Sequence, residues 1–190
     1  METDSRCCES KLYNQIEECY GRVVYSYTTQ VIHAGRLHKK YIILKWGQLI
    51  LSVLSTGGFV STFITNQIYL TYVGGVSSAI LLILTAYFKD IDLSATYKLH
   101  LDTSNKLWLI KEKYLSLLTD FYSLSREEII NRRDELQKCV AKIYETAPLT
   151  DEKSFSLAQE SLKNKEFQFF SRDELNKMLP ETLRKSIKNQ

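Results

Sequence analysis

The chain has 190 residues, a mean hydropathy of −0.21, and 25 basic against 22 acidic side chains, for a formal net charge of +3. That balance excludes a protein that coats nucleic acid by bulk positive charge, and the length allows one or two small domains. The distribution excludes more, because no Asp, Glu, Lys, Arg or His occurs from Trp46 to Phe88, a silence that an ordinary water-soluble domain does not show.

The first segment, residues 1–43, opens with three acids and no apolar core between Met1 and Glu9, so no secretory signal peptide is expected. From Glu9 to Tyr41 there is no proline, and only Gly21 and Gly35 soften the pattern. Leu12, Ile16, Cys19, Tyr20, Val23, Val24, Tyr27, Val31 and Leu37 recur mostly at three- and four-residue intervals, which predicts an amphipathic helix feeding into the uncharged stretch. Cys7, Cys8, Cys19 and Cys139 form no CxxC pair, and His33, His38 and His100 stand in no metal-ligand spacing with them. Free thiols and no metal are expected.

The uncharged stretch is 43 residues long and would measure roughly 64 Å as one helix. The hydrocarbon core of a bilayer is only about 30 Å thick. Two spans joined by a tight turn use the length, so helices are expected over 44–64 and 68–88 with a short turn at 65–67, Thr65-Asn66-Gln67. Arg36, Lys39, Lys40 and Lys45 precede the pair and Lys89 comes directly after it, whereas the turn carries no charge. Basic residues beside spans favour the cytoplasmic side, which predicts both termini cytoplasmic and these five cations at lipid headgroups. The same cations could meet a nucleotide or nucleic-acid ligand, although lipid accounts for them.

Within the spans, Gln48, Ser52, Ser55, Phe59 and Thr62 fall on one helical stripe. Thr71, Gly75, Ser78, Leu82 and Thr85 repeat the rhythm on the second helix. Small and hydroxylated side chains serve helix packing in lipid; assembled in several copies, the same stripes could line a watery path. Two helices alone are too few to enclose one. No ionisable group lies inside the spans, which argues against a proton-coupled transporter or a voltage sensor.

Residues 89–190 turn polar but keep a helical period. Tyr97, Leu101, Leu107, Ile110, Tyr114, Leu117, Leu118 and Phe121 mark one apolar stripe. Ser125 and Glu128 form a capping box for the next helix, which carries Ile129, Leu136, Val140 and Ile143 and must stop before Pro148. Thr150 is placed to cap a short helix to about Lys163, and Ser171 with Glu174 repeats the capping box for another that ends before Pro180. A strand pattern competes only briefly, from Phe167 to Phe170. The predicted fold is an all-α membrane protein, a transmembrane hairpin plus a cytoplasmic helical bundle built by both flanks, with the two membrane-proximal helices paired as an antiparallel stalk.

Signs of an active site are missing. There is no GxGxxG, GxxxxGK[ST], HExxH or GxSxG motif. Asp151-Glu152-Lys153 reads as a charged first turn favoured by the helix dipole, and His100 beside Asp102 as a surface or packing residue. No catalytic residue and no cofactor are expected.

After the hairpin come Tyr97-Lys98-Leu99-His100, the run from Leu109-Ile110-Lys111-Glu112-Lys113-Tyr114 to Asp120, then Arg132-Arg133-Asp134-Glu135-Leu136, Ile143-Tyr144 and Ala147-Pro148. In this order of parts the chain resembles the SLATT family of two-transmembrane effector domains over about residues 10–185. The closing Leu179-Pro180 and Leu183-Arg184 are similar to the tail of one subgroup. The resemblance implies an inner-membrane effector of bacterial antiphage defence. Such an effector stays silent until a nucleotidyltransferase, a reverse transcriptase or their nucleotide or DNA product signals infection. It then forms a homo-oligomer and permeabilises the membrane, causing growth arrest or death in the manner of abortive infection. The competing expectation is a membrane-anchored scaffold or sensor that recruits a soluble enzyme without forming a pore.

Overall fold

The computed structural model describes residues 2–65, 68–90, 92–164 and 170–178, with backbone alone for 2–9, 62–65, 89–90, 172 and 176. Every described element is helical. Helix α1 runs unbroken from Glu2 to Thr65 and α2 from Ile68 to Asp90, so α1 joins the first flank and the first span in one rod about 96 Å long. Nothing in its sequence stops it, since it lacks proline and an interior glycine costs only about 1 kcal/mol against alanine. Asn66 and Gln67 of the expected turn lie outside the described residues.

Helix α3 spans Leu93–Thr119 and is capped by Asp92, whose carboxylate accepts from the Ala95 amide at 2.9 Å. A single 3-10 turn, Phe121–Ser123, leads to α4, Arg126–Thr146. The capping box of α4 forms as the sequence predicts: the Ser125 hydroxyl accepts from the Glu128 amide while the Glu128 carboxylate accepts from the Ser125 amide at 3.0 Å. Ala147 is extended, at φ −68° and ψ 133°, because Pro148 disfavours helical geometry before it. Helix α5, Glu152–Asn164, starts one residue later than expected. Asp151, not Thr150, caps it, accepting from the Ser154 amide at 2.8 Å. Helix α6 is Arg172–Met178, with its Ser171–Glu174 box in place. Of the Phe167–Phe170 segment, only Phe170 is described.

Cross-helix contacts fix the topology. Tyr13 meets Phe121, His33 meets His100 and Tyr41 meets Tyr97, so numbers rise on α1 as they fall on α3 and the pair is antiparallel. Arg133 donates to Gln15, Gln137 to the Cys19 sulfur, and Ser26 shares a hydrogen bond with Tyr144. Here both numbers rise together, and α4 climbs parallel to α1. Pro148 ends α4, and its carbonyl accepts from Gln30 at 3.2 Å, with the next residues still following α1 upward through His33 and Asp151. Helix α5 packs on α1 through Ser154 at His33 and Arg36 and through Phe155 at Tyr25.

The bundle core is Leu12, Ile16, Cys19 and Val23 of α1 against Leu107, Ile110, Tyr114 and Leu117 of α3, closed by Phe121, Ile129 and Leu136. Leu101, which the predicted stripe places in the core, is 44 % exposed. Cys19 and Cys139 are free thiols; Cys7 and Cys8 fall where side chains are not described.

Candidate functional site: the hairpin and the polar layer beneath it

Helices α1 and α2 touch along a seam of small residues. Ser55 and Gly58 of α1 are buried against Gly74 and Ser77 of α2, and the Ser55 and Ser78 hydroxyls hydrogen-bond across it. The approach is close enough to require glycine. A Cβ on Gly58 would stand 2.9 Å from the Leu70 carbonyl oxygen and 3.0 Å from the Gly74 Cα, and one on Gly74 would stand 3.2 Å from the Ser55 carbonyl oxygen. Backbones that meet this way gain dispersion contacts that lipid cannot match.

The structure divides the two predicted stripes. Gln48 donates to Thr85 at 3.2 Å and Ser55 pairs with Ser78, so these four bridge the helices. Phe59 is partly exposed, with one ring edge lying beside Gly74. Ser52, Thr71, Gly75 and Leu82 face outward, Leu82 at 71 % exposure, and the Thr62 side chain lies outside the described residues. The seam is thus rotated from the expected stripes towards Gly58, Gly74 and Ser77, which the period of the polar residues does not pick out. Glycine carries no polarity, so a pattern of hydroxyls misses it; the sharper signal is the glycine at each helix's mid-span.

Around this seam the large apolar side chains point outward. Ile43, Trp46, Leu49, Ile50 and Val53 on α1, and Val76, Ile80 and Ile83 on α2, are all exposed. Two helical stretches, Ser10–Ser61 and Ile68–Thr119, contain windows long and apolar enough to cross a membrane, and almost none of either window is buried within the chain. Aromatic residues mark both ends: Tyr41, Trp46 and Tyr87 at one, Tyr69 and Tyr72 at the other. The belts are separated along α2 by about 25 Å of helix, close to a hydrocarbon core with amphipathic rings at its boundaries.

Of the basic residues beside the hairpin, Lys40 lies over the Tyr87 ring and 3.4 Å from its hydroxyl, and Lys45 reaches the Tyr41 hydroxyl at 3.3 Å. Lys39 is exposed, and the Lys89 side chain is outside the described residues. Arg36 differs. Its Nη1 donates to both Asp151 oxygens, at 2.6 and 2.7 Å, and to the Ser154 hydroxyl at 2.7 Å. The cluster is free of acids in sequence, yet folding brings Asp151 to it from 115 residues away.

Asp151 is the hub of a polar layer between the apolar core and the hairpin. His33 Nδ1 lies 3.1 Å from its carboxylate and 3.0 Å from the buried Ser154 hydroxyl. The Ser154 and Arg36 hydrogen bonds hold the Asp151 carboxyl far below the usual carboxylate range. Beside it His100, 1 % exposed, hydrogen-bonds Gln30 at 2.5 Å, and its ring lies 4.3 Å from the His33 ring at a tilt of 39°. Burial, helped by His33, depresses its pKa to about 4, so His100 is neutral at physiological pH and serves packing. Ser, His and Asp do meet here, but Ser154 and Asp151 share one imidazole nitrogen and the hydroxyl is fully buried. A nucleophile-and-base relay needs the two on opposite nitrogens and an open hydroxyl. Among the described residues no three His, Cys, Asp or Glu side chains are grouped to hold a metal.

Fold and site together define an all-helical protein in which a hairpin of two candidate membrane spans stands on a helical bundle. The chain matches the SMODS and SLOG-associating 2TM effector domain family 4 over residues 12–174, and it belongs to that family, the fourth of the SLATT domains. It is accordingly a two-transmembrane effector of the conflict systems in which these domains serve, a family associated with nucleotidyltransferase partners. Comparison with curated proteins and with solved structures finds no match to either.

Proposed function

We propose that the protein is an inner-membrane effector of antiphage defence that oligomerises through its hairpin and permeabilises the membrane when a partner signals infection. Both termini and the bundle lie in the cytoplasm, where a nucleotidyltransferase or reverse transcriptase, or its nucleotide or DNA product, supplies the trigger. The observation that carries this reading is the outward placement of Thr71 and Gly75 on a hairpin whose own seam is already closed. Side chains this small or polar gain little from facing lipid tails, but they let further helices approach and hydrogen-bond, and several hairpins can surround a path that two helices cannot.

Co-expression with the genetic neighbour followed by a membrane-potential dye tests the proposal. Activation should depolarise the cells, and Thr71→Leu with Gly75→Leu should abolish depolarisation while the protein still fractionates with membranes. Arrested, activated cells that keep their potential would overturn pore formation and leave an anchored scaffold that recruits a soluble enzyme.

A further inference from the structure

A cavity beside the seam lies on one flank of the hairpin, at the end next to the bundle. It is a groove of about 520 Å³ lined by Ile42, Lys45, Trp46, Gln48, Leu49, Ser52, Leu81 and Thr85, within the range that holds small ligands. Its walls are apolar. Its floor is the Gln48–Thr85 hydrogen bond, and Thr85 also donates to the Leu81 carbonyl, so the floor's polar groups have partners. One end carries a cation, Lys45, and none of the eight lining residues is acidic. Trp46, 60 % exposed, stands beside that cation.

We propose that this groove is a binding site for one anionic phospholipid, its phosphate on Lys45 and an acyl chain laid along Leu49 and Leu81. The inference rests on the membrane reading of the hairpin and adds a specific ligand to it. Three features select the occupant. The aromatic belt of Tyr41, Trp46 and Tyr87 puts the charged end at headgroup depth and the apolar remainder among acyl chains. The medium at that depth is lipid, so whatever fills an apolar groove there must have a tail. Among the described lining residues the one charge, Lys45, is positive, and an ammonium at the surface of an anionic leaflet gains about 1 kcal/mol from a nearby lipid charge. A zwitterionic lipid brings its own cation to the same place and loses that gain. The Tyr41 hydroxyl, 3.3 Å from the ammonium, steadies it without neutralising it.

The test uses the full chain with Trp108→Phe, which leaves Trp46 as the only tryptophan of the two in the sequence. It is reconstituted in phosphatidylcholine vesicles containing equal fractions of either brominated-chain phosphatidylglycerol or brominated-chain phosphatidylcholine. Brominated phosphatidylglycerol should quench Trp46 severalfold more effectively and saturate near one lipid per chain. Lys45→Gln should remove that preference. Ser52→Phe, which fills the groove and keeps the charge, should remove it too. Equal quenching by the two lipids overturns the proposal, and so does a preference that survives Ser52→Phe, since it would then belong to the charged surface at large. Loss of quenching as protein is raised against lipid overturns it in favour of a second copy in the groove. Absence of quenching by either lipid overturns the membrane reading of the hairpin as well, whereas quenching without preference overturns the lipid site alone.

Discussion

Helix α1 passes through two regions that treat hydrophobic residues in opposite ways. Between Leu12 and Val23 it buries its apolar side chains against α3 and shows water its charges; between Ile43 and Val60 it turns the large apolar side chains outward and buries Ser55 and Gly58. The helical geometry is the same in both, and so is the neighbour's chemistry, another helix. On the proposed membrane reading, what changes is the surrounding medium. Water drives apolar surface into contact, whereas lipid tails are as apolar as leucine and leave packing and hydrogen bonds to hold helices together. On the proposed membrane reading, the inversion along one rod, close to Tyr41 and Trp46, marks where the bilayer begins.

The largest effect that can break this contrast is truncation of a buried leucine in the bundle. Leu107 is fully buried in the core, and Leu107→Ala should cost about 2–5 kcal/mol through lost transfer energy and the cavity left behind. Val53 is 65 % exposed, and Val53→Ala should change the stability of the protein in detergent micelles by less than about 0.5 kcal/mol. Chemical denaturation followed by circular dichroism compares them. Similar losses for the two would mean that the outer face of α1 is packed against protein, and the inversion would fail.

Much of this division is legible in the sequence, and its limits are instructive. The silence from Trp46 to Phe88 announces the lipid segment because charge is costly there whatever the fold. The capping boxes at Ser125 and Ser171 and the stop at Pro148 are readable because they depend on a few adjacent residues. The seam is less legible. Which side of a span faces its partner is decided by how near two backbones can come, and Gly58 against Gly74 settles that over a separation of sixteen residues that periodicity alone does not relate. Arg36 reads as a headgroup cation for the same reason: its partner, Asp151, is remote in sequence, and no local pattern announces a contact that arises only when the segment after Pro148 packs on α1.

His100 offers a second and smaller test, confined to the bundle. Burial lowers its pKa from the ordinary 6.5 to about 4, so between those values the unfolded chain takes up a proton that the folded one refuses. Stability must then fall as the pH drops through this window and is fully present above about 6.5. The loss between pH 7 and pH 4.5 should be on the order of 2 kcal/mol. His100→Gln should flatten the profile there, measured by urea unfolding at each pH. A wild-type profile that is already flat would mean that water reaches the ring, and the polar layer would be an extension of the surface.

The smallest expected effect lies at the border between the two regions, where Asp151 joins α5 to Arg36 and His33. Its carboxylate does two separable things: it caps α5 through the Ser154 amide and pairs with the Arg36 guanidinium. Asparagine caps as well as aspartate but carries no charge, so Asp151→Asn removes the pair and spares the cap, while Asp151→Ala removes both. The pair is 33 % and 45 % exposed on its two sides and should contribute no more than about 1 kcal/mol, because water and salt screen it. The cap should add about 1 kcal/mol more. Raising the ionic strength should therefore shrink the gap between wild type and Asp151→Asn and leave the gap between Asp151→Asn and Asp151→Ala unchanged. If the first gap resists salt, the Arg36 pair is sheltered from water, and the low-dielectric boundary lies deeper along α1 than Tyr41.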